Sequence, residues 1–364
     1  MELEVFWGSG SPYAWRVLFA LQLKGVPFTS RPLSFSAGEH KRPEFLQINP
    51  RHKVPAIREG DTVVTESIAI LAWLDRRFPD PPLFGSDPRT AGQIWREVME
   101  LQQYVDPAAH HVVRACYFGW TDDRREELEA RLATTREELE RLDKRLRNRP
   151  WLRSDGPTAA DCVFMPMLES LYRAASKEGS AALDFGFLEL PGLLAYRDRF
   201  RTLPATRASW PAHWDPPPRP PVSLREVDKD TYLTLLQLKT TPDQDRFVAN
   251  NAISLAQLHF NQDRAWARRV CAGEAPIGFV MMYDEPDGTT AYLWRFLIDR
   301  HHQGSGYGRE AMQELVELVR SRGKQKLTLS YVPQEGHPGP FYEALGFQDT
   351  GRVEDGERIL ELEL

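Results

Sequence analysis

Cysteine is scarce. The chain has three in 364 residues, Cys116, Cys162 and Cys271, and no C-x-x-C pair. A disulfide framework and a structural zinc site are not expected, and a reducing cytoplasm fits best. Long hydrophobic runs are lacking too, since no stretch approaches the roughly eighteen apolar residues that a membrane span needs. The start, Met-Glu-Leu-Glu-Val, has no charged-then-apolar leader, so neither secretion nor membrane insertion is expected. The histidines offer only the doublets His110-His111 and His301-His302. Sequence neighbours diverge on a helix or strand, so neither doublet reads as a metal site.

No strong excess of one charge runs through the whole chain. Residues 1–214 carry 29 basic and 29 acidic side chains, and residues 215–364 carry 17 and 23, which accounts for the whole net charge of −6. The asymmetry suggests separate units and argues against nucleic acid as a partner of the second. An acidic, solvated surface and attraction of a cationic ligand are both compatible with it. At about 150 residues per domain the length allows two or three domains, and 41% hydrophobic with 27% charged residues is ordinary globular composition.

Proline marks the main boundary. Asp215-Pro-Pro-Pro-Arg-Pro-Pro221 favours an extended, stiff spacer. A weaker break lies at Phe78-Pro-Asp-Pro-Pro-Leu83. The reading is therefore residues 1–82, 83–214, a linker at 215–221, and 222–364.

In the first segment Glu2–Trp7 reads as a strand, and Ser11-Pro12 as an N-cap followed by the proline favoured at a first helical position. Helical spacing runs through Val17, Leu18 and Leu21 to Gly25. Phe28–Leu33 is a second strand, Val54–Ile57 and Thr62–Val64 a hairpin, and Ser67–Phe78 an apolar helix. That order predicts a thioredoxin-like α/β domain. From Arg89 the pattern is helical. Leu128, Leu132, Leu139, Leu142 and Leu146 share one face of a helix over Asp122–Arg149, which fits a buried bundle face.

Ser11-Pro-Tyr-Ala-Trp-Arg-Val17, Gly38-Glu-His40, Asn49-Pro50, Lys53-Val54-Pro55 and Thr65-Glu66-Ser67-Ile68-Ala69 together resemble the glutathione S-transferase family, in its serine-using theta and zeta classes. Pro157-Thr158-Ala-Ala-Asp161 extends the likeness to the helical half, where it reads as a capping box. The resemblance implies glutathione as co-substrate, a small electrophile, and a homodimer formed through this half. It assigns Ser11 as the hydroxyl that donates to the thiol; otherwise Ser11 only caps its helix, with Ser9 as the alternative. It further implies that the Val54 main chain beside a cis Pro55 pairs with the cysteine of glutathione. Glu66 and Ser67 would hold the γ-glutamyl end, and His40 and Lys53 would face the glycine carboxylate. Ordinary surface charge is the alternative for those last two. Tyr104, His110, His111, Tyr117 and Trp120 are candidates for lining the acceptor pocket.

In the last segment Val222–Val227 reads as a strand and Asp230–Phe260 as helices. Ala275–Asp284 and Ala291–Asp299 are strands joined by a turn near 286–288. A glycine-rich turn, Gln303-Gly-Ser-Gly-Tyr-Gly308, leads into a helix over Arg309–Arg322. Such a turn offers backbone N–H groups and the positive helix end to a phosphate. Its third glycine comes one place too early for a G-x-G-x-x-G fingerprint, and no Gly-Lys-Ser/Thr follows. Lys326–Val332 is another strand, Pro340–Leu345 a short helix, and residues 352–364 supply closing strands.

Gln303-x-x-Gly306-x-Gly308 after Tyr292–Ile298, with Ser330-Tyr-Val-Pro333 and Phe341-Tyr342-Glu-Ala-Leu-Gly346-Phe347, resembles the GNAT N-acetyltransferase superfamily, an α+β fold. Gln244–Ala249 and Trp294–Asp299 are similar to its polyamine-acetylating branch. The resemblance implies acetyl-CoA as co-substrate and a small, cationic amine as acceptor. The main chain near Phe296–Ile298 would hold pantetheine and the acetyl carbonyl, and the amides of Gln303, Gly304, Ser305, Gly306 and Gly308 the diphosphate. Tyr342 would protonate the leaving sulfur; otherwise it is a core tyrosine. For a general base, Asp284, Glu285 and Glu335 are the candidates. One departure is Gln334-Glu335-Gly336, where many relatives carry asparagine after Val-Pro.

The expected protein is thus a multi-domain, bifunctional transferase: thioredoxin-like, all-helical and GNAT domains in that order. Two other readings stay open, a transferase half that only dimerises and organises the acetyltransferase, and an acetyltransferase half that senses coenzyme without turnover.

Overall fold

Val5 lies fully buried in a four-stranded sheet of order β2-β1-β3-β4. Its strands are β1 (Leu3–Trp7), β2 (Thr29–Pro32), β3 (Ala56–Glu59) and β4 (Thr62–Thr65), with β1 and β2 parallel and the other pairs antiparallel. The parallel pair needs a crossover, supplied by α1 (Pro12–Leu23). Trp15, Val17, Phe19, Ala20 and Leu21 are all buried, so this helix is covered on nearly every side. α2 (Pro43–Leu46) and α3 (Ser67–Arg77) complete the thioredoxin-like part. This computed structural model describes the chain except residues 1, 120–123, 154–155, 178–179, 181, 216–217 and 287.

The helical part runs α4 (Pro88–Glu100), α5 (Asp106–Phe118), α6 (Arg125–Leu146), α7 (Ala159–Ala175), α8 (Pro191–Thr202) and α9 (Pro204–Ser209). All five leucines assigned to one face of α6 are buried. α7 is buried along almost its whole length, and its start is fixed by Asp161, which accepts from Thr158 N at 2.8 Å. Leu152 N and the Tyr196 hydroxyl also donate to Asp161, at 3.1 and 2.8 Å. A fully buried carboxylate is tolerated because these donors replace water.

Contacts divide the chain into two compact bodies, residues 1–146 with 151–218, and residues 219–364 with 147–150. Arg219 thus belongs to the second body, while two prolines of the spacer, residues 216 and 217, lie outside the described residues.

The second body is a seven-stranded sheet of order β10-β11-β9-β8-β7-β6-β5. The strands are β5 (Val222–Glu226), β6 (Ala265–Ala272), β7 (Ala275–Asp284), β8 (Thr290–Ile298), β9 (Lys326–Tyr331), β10 (Gln348–Glu354) and β11 (Glu357–Glu363). The helices are α10 (Tyr232–Leu235), α11 (Asn251–Phe260), α12 (Tyr307–Ser321) and α13 (Gly339–Glu343). Three sequence expectations need correction here. Strand β6 carries no local strand signal, because Ala-Trp-Ala-Arg-Arg-Val lacks the β-branched alternation that marks a strand. The stretch 230–260 is helical only over α10 and α11, since Thr240-Thr-Pro-Asp-Gln-Asp245 supplies turn formers that interrupt it. The helix after the glycine loop starts at Tyr307, two residues earlier than expected, with left-handed Gly306 (φ 84°) as its N-cap.

β8 pairs in parallel with β9 only over Thr290–Tyr292 and Lys326–Thr328, and beyond that point the two strands part. On its other side β8 carries a bulge: Met281 faces Arg295 and Met282 faces Leu293, leaving Trp294 as the extra residue. The splay opens the sheet beside the glycine loop.

Candidate functional sites

In the first body, the start of α1 is set by Ser11, whose Oγ accepts from Ala14 N at 3.3 Å. A cleft of about 960 Å³ opens there and is bordered by Ser11, His40, Lys53, Val54, Glu66 and Ser67 together. These are all six residues that sequence reasoning assigned to glutathione. The Val54–Pro55 peptide is cis. The loop preceding it is stapled by buried Asn49, which donates to the Lys53 carbonyl at 2.7 Å and accepts from Arg51 N at 3.0 Å.

Glu66 has φ 67°, a conformation non-glycine residues rarely adopt and one that clusters at functional sites. It precedes α3, so the Ser67 amide lies at a helix start, where a carboxylate is favoured. Desolvation, then the charges of Lys41, His52 and Lys53, hold the His40 imidazole below its ordinary value. His40 is thereby favoured in its neutral form, and Lys41 and Lys53 supply the positive charge at that end of the cleft, suited to an anionic ligand.

The opposite wall comes from α5, through His110, Val113 and Tyr117. Two other acceptor-pocket candidates are not brought there. Tyr104 lies in a separate groove with Glu97, Glu138 and Arg141, and His111 sits 3.9 Å from Glu127. Helical periodicity turns both away from the face that His110 presents. Trp120 lies outside the described residues.

In the second body a cavity of about 560 Å³ sits at the splay of β8 and β9. Its walls include Phe296, Ile298, Gln303, Gly304, Gly306, Gly308 and Tyr342. Ser305 is not among them; it sits between two wall glycines of left-handed φ, where the backbone reverses and takes it off the wall. The Gln303 side chain braces the loop, donating to Gln244 Oε1 and to the Ile298 carbonyl, both at 2.8 Å. No side chain caps α12, so its first amides stay available, and Glu310 of that turn is engaged by Arg219 at 2.5 Å. Tyr342 is buried beside Phe341 and Phe347. Burial, then the neighbouring Tyr292, push its phenol far above the usual value, so it stays protonated.

None of the three general-base candidates borders this cavity. Asp284 pairs with Arg322 at 3.2 Å and Lys324 at 3.5 Å, Glu285 caps the turn back to Thr290, and the Glu335 carbonyl accepts from Arg246. Sequence reasoning missed His337, which lines the cavity and stacks on Tyr331 at 4.8 Å. It also missed His213 in the first cleft, because its partner there is 204 positions away.

One site lies at the head of a thioredoxin-like helix and the other at a strand splay. Residues 10–77 match the family described as glutathione S-transferase, N-terminal domain, and residues 105–204 the glutathione S-transferase C-terminal domain. Residues 224–347 match the acetyltransferase (GNAT) family. A glutathione S-transferase of Hyoscyamus muticus is 30% identical over 184 residues, covering 47% of this chain and 83% of that protein. A maleylacetoacetate isomerase of Pseudomonas aeruginosa is 28% identical over 217 residues, 58% of this chain and 97% of its own length. The crystal structure of a glutathione S-transferase from the Antarctic clam Laternula elliptica superposes with a TM-score of 0.51 at 28% identity, over 59% of this chain and 94% of that one. The chain belongs to the glutathione S-transferase family and carries a GNAT acetyltransferase domain after it. Both parts are transferases by family, and among the described residues no helix is long and apolar enough to cross a membrane.

Proposed function

We propose that the chain is a cytoplasmic, bifunctional transferase, homodimeric through its first body. That body conjugates or isomerises a small electrophile with glutathione, and the second transfers acetyl from acetyl-CoA to a small cationic amine. The observation that carries the reading is the convergence of Ser11, His40, Lys53, Val54, Glu66 and Ser67 on one cleft.

A free thiol with pKa near 8.5 is only about a tenth or less thiolate at neutral pH. A Ser11 hydroxyl donating to sulfur, at the positive end of α1, stabilises the thiolate. Lys53, with neutral His40 as a hydrogen-bonding neighbour, receives the glycine carboxylate, and the α3 start receives the γ-glutamyl carboxylate. The similarity to a maleylacetoacetate isomerase supports an isomerisation in which glutathione adds and leaves again.

In the second body the acceptor, having given up its extra proton to water, attacks the thioester carbonyl as the free amine. The tetrahedral intermediate loses its N–H proton to water and collapses with the C–S bond breaking. The Tyr342 hydroxyl gives its proton to the departing sulfur. The excess acidic charge of residues 215–364 supports a cationic acceptor.

Two assays test this: retention on immobilised glutathione with turnover of a generic electrophile, and coenzyme A release with a panel of polyamines, amino acids and aminoglycosides. Retention without turnover would leave the first body a scaffold. Coenzyme binding without release for any amine would leave the second a sensor.

A further inference from the structure

Ser9 Oγ lies 2.5 Å from Nδ1 of His213, and the Trp214 indole N–H donates to Nε2 of the same ring at 3.1 Å. All three residues border the cleft that Ser11 and Val54 border. Residues 213 and 214 lie beyond the stretch, 105–204, that matches the family's C-terminal domain.

The indole nitrogen can only donate, and a neutral imidazole has one donor and one acceptor nitrogen. Nε2 is therefore the acceptor and Nδ1 carries the hydrogen. The bond to Ser9 then runs from Nδ1–H to Oγ, which occupies a lone pair of the hydroxyl and leaves the Ser9 O–H free to donate. We propose that Ser9, oriented by His213, donates its hydroxyl hydrogen to the glutathione sulfur as a second thiolate-stabilising group alongside Ser11. Ser9 would be the catalytic residue, His213 a positioning residue, and Trp214 the group that fixes its tautomer. This rests on the reading of the cleft as a glutathione site.

The surroundings hold the arrangement in place. Trp214 is buried, edge-on to Trp15 at 5.6 Å and Trp210 at 6.0 Å, with the Arg173 guanidinium 4.9 Å above its ring. Trp15 belongs to α1, and its indole donates to Ser209 at 3.0 Å. The helix that presents Ser11 therefore also anchors the tail that presents His213. Gly10, between the two serines, has φ 83°, and a Cβ there would stand 2.8 Å from the His213 ring. Only a bare α-carbon admits the imidazole so close. Partial desolvation, then the charge of Arg173, hold His213 below its ordinary value and so in the neutral form the pattern requires.

The test titrates the thiolate absorbance of glutathione bound to the full chain, with binding itself measured separately by calorimetry. Ser9→Ala and His213→Ala should each raise the apparent pKa of the bound thiol by about one unit, or about tenfold less thiolate below both values. Trp214→Phe should shift it the same way by less, and Ser9→Thr, which keeps the hydroxyl, should leave it near wild type. The Ser9→Ala/His213→Ala pair should shift it no further than Ser9→Ala alone, because the two act as a unit. If glutathione binds with a lowered thiol pKa and Ser9→Ala leaves that pKa unchanged, this proposal fails and the glutathione reading stands. If wild-type chain does not bind glutathione, both fall together. Should His213→Ala fail to fold, the Ser9→Ala and Ser9→Thr contrast decides alone.

Discussion

Arg16 of α1 and Asp106 of α5 form an ion pair at 2.7 Å with both side chains almost completely buried. The pair joins the thioredoxin-like part to the helical part. Asp106 also accepts from the Tyr13 hydroxyl at 2.8 Å, and Arg16 reaches Gln102 at 3.0 Å and, more loosely, Ser67 at 3.4 Å. The cleft between those parts is thus fixed by one polar network.

Removing one partner leaves the other charge buried and unpaired. Arg16→Ala should cost about 3–5 kcal/mol, lowering the melting temperature of the first body by about 2–4 °C per kcal/mol. Arg16→Met with Asp106→Leu should cost less than Arg16→Ala alone. Scanning calorimetry of the full chain checks the order, and an equal loss in both would refute it.

Asp161 makes a second such case. Asp161→Ala strands the Leu152 and Thr158 amides and the Tyr196 hydroxyl in the core. At about 1–3 kcal/mol for each unsatisfied donor, the variant should be at the edge of folding. Asp161→Asn keeps one acceptor oxygen and should lie between. Urea denaturation with soluble yield measures both.

Tyr342→Phe removes the acid and keeps the packing against Phe341 and Phe347. Coenzyme A release should fall about a hundredfold or more while the coenzyme dissociation constant stays the same. Because the folded phenol is held far above its usual value, its loss of a proton should contribute no alkaline fall in wild-type rate below pH about 10. Full activity in the variant would show that another group supplies the proton.

Gly306→Ala puts a side chain on a left-handed residue, with its Cβ in ordinary contact, 3.5 Å, with the Arg219 guanidinium. The cost is conformational, about 1–2 kcal/mol, and falls on the loop that presents the amides of α12. Coenzyme binding should weaken about tenfold by calorimetry. The same change at exposed Gly288 (φ 77°), with nothing within 4 Å, carries similar backbone strain and should leave coenzyme affinity unchanged.

Much of the molecule was legible because its signals are local. Ser11-Pro12 starts α1, the order of strands and helices in residues 1–82 matches the thioredoxin-like part, and the leucines of α6 mark its buried face. The glycine loop was legible for the same reason, since left-handed backbone and exposed amides are properties of a few adjacent residues. β6 and the breaks within 230–260 were less so, because strand propensity depends on neighbours that only the sheet supplies.

The residues alone determined which helix starts present a hydroxyl or bare amides, for capping and φ are decided within a turn of chain. Only tertiary structure decided what stands opposite them. His213 reaches Ser9 because three tryptophans pack the tail back onto α1. Asp284 and Glu285 lie off the cavity because they sit where β7 meets the start of β8, at the far end from Phe296 and Ile298. Contacts across tens or hundreds of residues are set by which apolar faces bury one another, and no local spacing encodes that.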